Sequence, residues 1–394
     1  MTPPRAARRQ IFLVDRGGRA RLTALHGGAS HVETALRGAN DFVPLYSGSH
    51  LLQNGASTTT EKLLETAANL TGMSSPNQGY IRLPFHAALL WPLSRLPYRT
   101  AYLIWFLASL SAVVLFVALW RPPGGSIVLL FTCLSVPVFA ALLNGQDSTF
   151  LLLFVALSAA LLDRSRPFAA GLVWSLCAIK FHLFLLTPVF ILARRQWRFA
   201  QGLLAGGAVL AAVSFAVAGW GWPFEFFASA TNPAFSPRLD LSPTLHGILA
   251  SVSGGLVLEI LLGATVLAAV WFVCRYSDQR LALAATLAGG LLLSVHAYLP
   301  DLSLLLPAAL TAMALAQTRL ARLATLALLT PLVHLSVTQG LPYSAIAVGL
   351  VLVLVYGLAH EARARSRGEH SGNFGYGRRD GVGPAPHAQT IGTG

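Results

Sequence analysis

Asp41 is the first of the few polar residues in this chain whose position suits chemistry, and it precedes an amphipathic stretch that runs to about Leu52. A carboxylate at a membrane–water boundary can take the proton of an acceptor hydroxyl, which is general-base catalysis. The alternative role is a helix cap, since Asp at an N-cap stabilises a helix by about 1 kcal/mol. Tyr46, in the same stretch, is a candidate contact for an acceptor or a sugar.

Two cations could bind a phosphate. Arg82 lies in a proline-broken aromatic stretch that reads as an interfacial helix, where it would either hold a phosphate or simply extend its charge to the membrane surface. Lys180 stands with His182 between two short apolar runs, so its charge needs a partner. A ligand phosphate and a structural carboxylate are equally open as that partner. The structural candidates are Asp147, Glu259 and Asp301.

Two short polar turns complete the candidate site. His296 and Asp301 share one turn, in which the histidine could bind a phosphate or a sugar hydroxyl, or be structural. Gln146 belongs to a turn at 144–147, where its amide could bind a hydroxyl or where the segment could be a plain hairpin turn. Neither turn carries the several clustered carboxylates that Mg²⁺ or Ca²⁺ would need, so we expect no metal.

The composition defines the setting of these residues. The chain has 394 residues, of which 55% are hydrophobic and 11% charged, whereas about a quarter of the residues of a soluble protein are charged. The net charge of +13 rests on arginines placed between apolar runs and in both terminal segments, with only two lysines. This pattern favours a membrane protein over a nucleic-acid partner. Three cysteines without a CxxC pair are expected to be core residues.

Apolar runs predict an all-α, polytopic transmembrane helical bundle with about eleven spans. Several runs are short, which suits a bundle around a thinned, water-accessible site better than a uniform lipid-facing ring. The predicted spans are 101–120, 126–143, 148–162, 168–179, 182–193, 200–219, 254–274, 281–296, 302–318, 323–338 and 343–360.

Arginine placement predicts the orientation, because basic loops face the cytoplasm. Cytoplasmic and outward loops alternate consistently along the chain only if 168–193 is a hairpin of two short helices with a break near Lys180. The four outward loops after residue 100 then hold a single arginine, Arg238. The basic loops are Arg121, 163–166, 194–198, 275–280, 319–322 and the tail at 363–367. The outward loops are 144–147, 220–245, 296–301 and 339–342, together with the long segment before residue 100.

The chain divides into three predicted regions. Residues 1–40 carry seven arginines and no apolar run long enough for a signal peptide. We therefore expect this segment to be atypical, with the first membrane span missing through truncation or a mis-started reading frame. Residues 41–360 form the membrane-embedded domain, with outer-loop and interfacial helices at 41–100. Residues 361–394 are basic and then rich in Gly, Ser and Pro, which predicts a disordered cytoplasmic tail.

The order of these motifs resembles glycosyltransferase family 87, a family of integral-membrane transferases of the GT-C class. The shared order covers residues 40 to about 305: an outer-loop aspartate, an aromatic–proline stretch, a Gly-Gln turn, a lysine hairpin closed by Arg-Arg-x-Trp-Arg, and a late His-x-Tyr-x-x-Asp turn. The chain departs from the family where Arg82-Leu83-Pro84 replaces the usual Tyr-Pro-Pro and where the usual first span is missing.

The resemblance implies transfer of a sugar, typically mannose, from a polyprenyl-phosphate donor to a glycolipid or glycan acceptor. It implies an outward-facing active site in the plasma membrane, expected to be a bacterial inner membrane, with no cofactor beyond the lipid-linked donor and with membrane lipids as neighbours. Asp41 would be the catalytic base of an inverting displacement. The resemblance implies that Lys180 and His296 lie near the donor phosphate, and it matches Gln146 to the family's Gly-Gln turn without assigning that turn a role. The full set of predicted donor-binding residues is Lys180, His182, His296 and Arg82, and the predicted acceptor or sugar contacts are Tyr46, Gln146 and Asp301.

Two other classes of protein remain open from the residues alone. One is a multi-pass transporter or flippase of a lipid-linked or anionic solute, with Lys180 as the binding charge. The other is a membrane scaffold without catalytic activity. Asp41 discriminates among the three, because only a transferase would need a proton acceptor there.

Overall fold

A computed structural model describes residues 38, 40–56, 60–71, 79–232 and 237–372 of the chain, and within these ranges every regular element is a helix. The first group of α-helices is α1 (Phe42–Gln53), α2 (Thr60–Thr71), α3 (Pro84–Ser94), α4 (Tyr98–Leu119), α5 (Gly125–Cys133), α6 (Val136–Leu143), α7 (Ser148–Asp163), α8 (Pro167–Ser175), α9 (Thr187–Arg194) and α10 (Trp197–Ala218). The second group is α11 (Trp222–Ala230), α12 (Leu245–Leu249), α13 (Gly255–Tyr276), α14 (Gln279–Leu293), α15 (Leu305–Leu315), α16 (Arg319–Leu328), α17 (Pro331–Val337) and α18 (Tyr343–Gly372). Short 3₁₀ helices cover Leu176–Phe184, Leu239–Leu241 and Leu299–Leu304.

The all-helical class is confirmed, but the predicted number of eleven spans is not. Among the described residues, five helices are long and apolar enough to cross a membrane, or seven if the bent pairs α5–α6 and α16–α17 each count as one span. These pairs bend by 62° and 65°. Other predicted spans are too short for this test: α7 has 16 residues, about 24 Å, against a hydrocarbon layer of about 30 Å.

The predicted break near Lys180 is present. Lys180 has non-helical backbone angles (φ −132°, ψ 58°) inside the 3₁₀ segment Leu176–Phe184, which separates α8 from α9. Pro188 is not the cause of this break, because it lies in the first turn of α9, where its missing N–H costs no helical hydrogen bond. The two short helices therefore meet at an irregular segment that carries the lysine.

Three of the predicted basic loops, 163–166, 194–198 and 275–280, meet at one end of the bundle. Arg280, at the start of α14, forms an ion pair with Asp163, at the end of α7. Arg194 donates to the backbone carbonyls of Cys274 and Ser277, at 3.0 and 2.8 Å, and so ties the end of α9 to the end of α13. The opposite end of α7 begins at a turn predicted to face outward. The helix Ser148–Asp163 thus separates these three loops from the turn at 144–147, and the orientation of the loops in a membrane stays a prediction.

Glycines allow α8 and α10 to pack backbone against backbone. A Cβ on Gly171 would collide with the carbonyl oxygen of Phe199, and one on Gly202 would collide with that of Phe168. Gly206, four residues after Gly202, would meet the Ser175 hydroxyl in the same way. Helices in lipid gain affinity from such close approach, which small residues four apart permit.

The terminal regions are described only in part. Helix α18 continues to Gly372, past the predicted domain boundary at residue 360. Residues 373–394 of the predicted tail and residues 1–37 of the predicted basic segment lie outside the described residues.

Gly202→Ala is expected to lower the stability of the protein by about 1–3 kcal/mol, because the added methyl group forces two backbones apart. Gly207→Ala is the matched control in the same helix, since a Cβ there meets nothing within 4 Å. Unfolding midpoints in detergent measure both variants. Equal midpoints for the two would show that α8 and α10 do not pack at Gly202.

Candidate active site

Asp41 is placed by the docking of its segment against the turn at 144–147. The Asp41 backbone N–H donates to the carbonyl oxygen of Asn144 at 3.0 Å. Gly145 permits this contact, because it has a positive φ of +61° and a Cβ there would lie 2.9 Å from the Asn40 side-chain oxygen. Asp41 occupies the N-cap position of α1, but its side chain makes no capping hydrogen bond. The carboxylate is instead directed to Gln146.

Gln146 bridges the carboxylate to the lysine. Its Nε2 donates a short hydrogen bond to Asp41 Oδ2, and its Oε1 accepts from Lys180 Nζ at 2.8 Å. Gln146 is more than 100 positions from Asp41 and more than 30 from Lys180 in the chain, and its side chain connects the two through hydrogen bonds.

Lys180 is the centre of a buried ion network. Its Nζ lies 2.6 Å from Asp301 Oδ1, 3.1 Å from Asp147 Oδ1 and 3.0 Å from Ser148 Oγ, in addition to Gln146. An ammonium group has three N–H donors, and here four oxygens surround it. The structural-partner alternative is therefore the one that the geometry supports, with two of the three predicted carboxylates. The third, Glu259, lies 3.1 Å from His246 instead.

Arg82 joins the same network through Asp147. Its Nε lies 2.8 Å from Asp147 Oδ2 and its Nη2 3.4 Å from Oδ1, a two-point contact on a carboxylate that is fully buried. Burial alone would raise the pKa of Asp147, but the charges of Arg82 and Lys180 outweigh it and hold that pKa well below its usual range. His86 lies 3.8 Å from the same carboxylate, and burial lowers its pKa to about 4, so its ring is neutral near pH 7.

The two predicted donor-binding histidines lie together. The rings of His182 and His296 are stacked with centroids 4.6 Å apart. Burial lowers the pKa of His296, so this ring is neutral near pH 7. The buried Nε2 of His182 has no hydrogen-bond partner among the described residues, which leaves it able to meet a ligand. The backbone N–H of Tyr298 donates to Asp301 Oδ2 at 3.0 Å, which ties this turn to the network.

Tyr46 does not join the network. Its hydroxyl donates to the carbonyl oxygen of Leu96 at 2.6 Å, and its ring packs edge-on against Tyr98 at 5.2 Å. The side chain is buried in an aromatic cluster that also contains Phe42 and Trp105. This cluster positions α1, and thereby Asp41, against α4.

Asp147 and Ser148 are the site residues that sequence reasoning left out of the predicted set. The sequence alone indicates Asp147 only as a turn residue and as one possible partner of Lys180. A usable signal existed, because an acid at the first residue of an apolar run is costly unless it is paired. Its complete burial, at 0% exposure, depends on segments that lie far away in the chain.

The charges of this site balance in a way that sets Asp41 apart. The cations of Arg82 and Lys180 are matched by the carboxylates of Asp147 and Asp301: Arg82 pairs with Asp147, and Lys180 pairs with both carboxylates. Asp41 is linked to Lys180 through the neutral amide of Gln146. Burial raises the pKa of Asp41, against the lowering effects of Gln146, Lys180 and Arg82. A carboxylate with raised basicity beside a fixed polar network suits the abstraction of a proton.

A polytopic helical protein with a buried ion network at one end of its bundle is the class that these observations define. The family model of glycosyltransferase family 87 matches residues 83–300, which is more than half of the chain, and the chain belongs to that family. The resemblance seen in the motifs is thereby confirmed. No curated protein and no solved structure matches the chain. Asp41, Tyr46 and Arg82 precede the matched residues and Asp301 follows them, and the roles of all the predicted site residues stay predictions.

Lys180→Met is expected to destabilise the protein by about 3–5 kcal/mol, because it leaves two buried carboxylates without their shared cation. Lys62→Met is the matched control, since Lys62 is the only other lysine and is exposed on α2. Thermal unfolding in detergent measures both. A Lys180→Met midpoint as high as that of Lys62→Met would contradict the ion network.

Proposed function

We propose that the chain is a hexosyltransferase that moves a mannosyl group from a polyprenyl-phosphate donor to a hydroxyl of a glycolipid or glycan acceptor. The reaction takes place at the extracytoplasmic face of the plasma membrane. The single observation that carries the proposal is the position of Asp41, partly buried and joined through Gln146 to the ion network, in a chain of glycosyltransferase family 87.

The proposed step is a single displacement with inversion. The acceptor oxygen attacks the anomeric carbon while Asp41 takes its proton. The bond between that carbon and the phosphate oxygen breaks, and the lipid phosphate leaves with the bonding electrons. No nucleophile on the protein is required, and fixed positive charge near the leaving phosphate stabilises the charge that develops there.

The geometry supports Arg82 and the histidine pair as the groups that meet the donor phosphate. Arg82 uses three of its five N–H groups on Asp147 and on the carbonyl oxygen of Ile81, and its side chain remains 19% exposed. His182 offers a buried ring nitrogen without a partner among the described residues. Lys180 is assigned a structural role, because four oxygens already surround its amine.

The transporter or flippase alternative loses support from the same contacts. It relied on Lys180 as the charge that binds an anionic solute. Because the Lys180 side chain is 5% exposed and its amine is surrounded by protein oxygens, the amine has no N–H group left for a solute. A role in group transfer, with the lysine as a fixed centre, fits this arrangement better.

Asp41→Asn is expected to lower the rate of sugar transfer by about 100-fold or more, because an amide cannot accept the proton. Transfer of label from polyprenyl-phosphate [¹⁴C]mannose to lipid acceptors in membranes measures the rate, and binding of the labelled donor should survive. Glu225→Gln, which removes an exposed carboxylate from α11, is the control and should keep full activity. Full transfer by Asp41→Asn would rule out the proposed base.

The pH profile of the transfer rate should have an acid limb, a fall in activity at low pH, that is due to protonation of Asp41. The base acts only when ionised, so kcat/KM is expected to fall as the pH drops through its pKa. Since burial raises the pKa of Asp41, this limb should lie above the ordinary aspartate value of about 3.9. Initial rates across a pH series measure it. A profile that stays flat down to that value would contradict Asp41 as the titrating base.

A further inference from the structure

We propose that Gln146 is a positioning residue for Asp41: its amide holds the carboxylate at a fixed place beside the ion network and keeps it out of direct ion pairing with Lys180. This proposal rests on the proposed function, in which Asp41 is the base. It replaces the sequence-based interpretation of Gln146 as a contact for a sugar or an acceptor.

The chemistry of its two partners fixes the orientation of the amide. A lysine ammonium can only donate and an ionised carboxylate can only accept, so the Gln146 oxygen must face Lys180 and its nitrogen must face Asp41. Rotating the amide by 180° would put oxygen against oxygen and nitrogen against nitrogen. Glutamine is therefore suited to this place by having one donor and one acceptor at its end.

The backbone around Gln146 is held as firmly as the side chain. Its backbone N–H donates to the carbonyl oxygen of Ala141 at 2.9 Å, and the preceding Gly145 carbonyl accepts from the Trp105 indole at 2.9 Å. The Asp41 backbone binds the same turn through Asn144. Both ends of the short bond between the amide and the carboxylate are thus anchored to one rigid turn.

The amide also separates two kinds of carboxylate. Asp147 and Asp301 contact Lys180 directly and serve as counter-charges. A direct contact of Asp41 with the same ammonium would stabilise its ionised form and make it a weaker base. With glutamine between them, Asp41 meets Lys180 through a neutral amide and not through an ion pair, and burial still raises the pKa of Asp41.

Several charged groups act on Asp41 from the surrounding elements. Lys180, from the break between α8 and α9, and Arg82, from the segment before α3, favour its ionised form, and Asp147, at the start of α7, disfavours it. The other titratable groups of the network are His86, His182, His296 and Asp301.

Two variants of similar size test the proposal. Gln146→Glu keeps an acceptor for Lys180 but replaces the donor to Asp41 by a second carboxylate. Gln146→Met removes both contacts. Gln339→Glu is the control for an added charge, since Gln339 is exposed in the turn before α18. Each variant is assayed in membranes with polyprenyl-phosphate [¹⁴C]mannose for kcat, donor KM and the pH profile, and its folding is followed by thermal unfolding.

For Gln146→Glu we expect kcat near pH 7 to fall by about tenfold or more with the donor KM unchanged. Its acid limb should move up by about one pH unit or more, because like charges disfavour ionisation of Asp41, and activity should partly return at higher pH. Gln146→Met should move the limb in the same direction by less. A merely structural role would reduce the amount of folded protein and leave the limb in place.

The proposal is overturned if the limb of Gln146→Glu stays at the wild-type pH, or if only the donor KM rises, since that would make Gln146 a substrate contact. If Gln146→Glu does not fold, the limb of Gln146→Met decides in the same way. Asp41→Asn, assayed in parallel, separates the two proposals. Transfer by Asp41→Asn refutes the proposed base, whereas an inactive Asp41→Asn with an unmoved Gln146→Glu limb refutes only the role of Gln146.

Discussion

The need to neutralise one buried lysine is the constraint on which the rest of the site depends. Lys180 is 4% exposed, and a cation in that position is stable only with carboxylates at contact distance. Asp147 and Asp301 meet this need from two segments that are far from Lys180 and from each other in the chain. The break in the hairpin places the Lys180 side chain where both Asp147 and Asp301 can contact it. Its irregular backbone is therefore part of how the network forms.

The network in turn fixes the outer segments of the molecule. The turn that contains Asp147 also receives the backbone of Asp41, and the turn before Asp301 carries the stacked His296. Because both turns are tied to one ammonium group, Asp41 and the histidine pair are held in a fixed arrangement relative to each other. Fixed placement of charges and dipoles of this kind is what lowers the barrier of a transfer reaction without reorganisation in the site.

The sequence predicted many of the residues that belong to the site but few of the contacts among them. Asp41, Lys180 and His296 were identifiable because ionisable residues beside apolar runs are costly and rarely there by chance. The partner of Lys180 stayed open between a phosphate and a carboxylate, since the choice depends on which loops meet. Tyr46 was assigned to the site on proximity in the chain alone, and the fold places its hydroxyl on a backbone carbonyl instead. The span count was not confirmed, because short and bent helices cannot be counted from hydropathy.

The sequence by itself determined the helical membrane class, the break at Lys180 and the family, because these follow from local composition, apolar run length and the order of short motifs. Only the tertiary structure decided that Lys180 is held by four oxygens, that Asp147 is fully buried, and that Gln146 stands between Asp41 and Lys180. The physical reason is that these properties belong to contacts between residues 30 to more than 100 positions apart, and such contacts are set by helix packing and not by any local pattern.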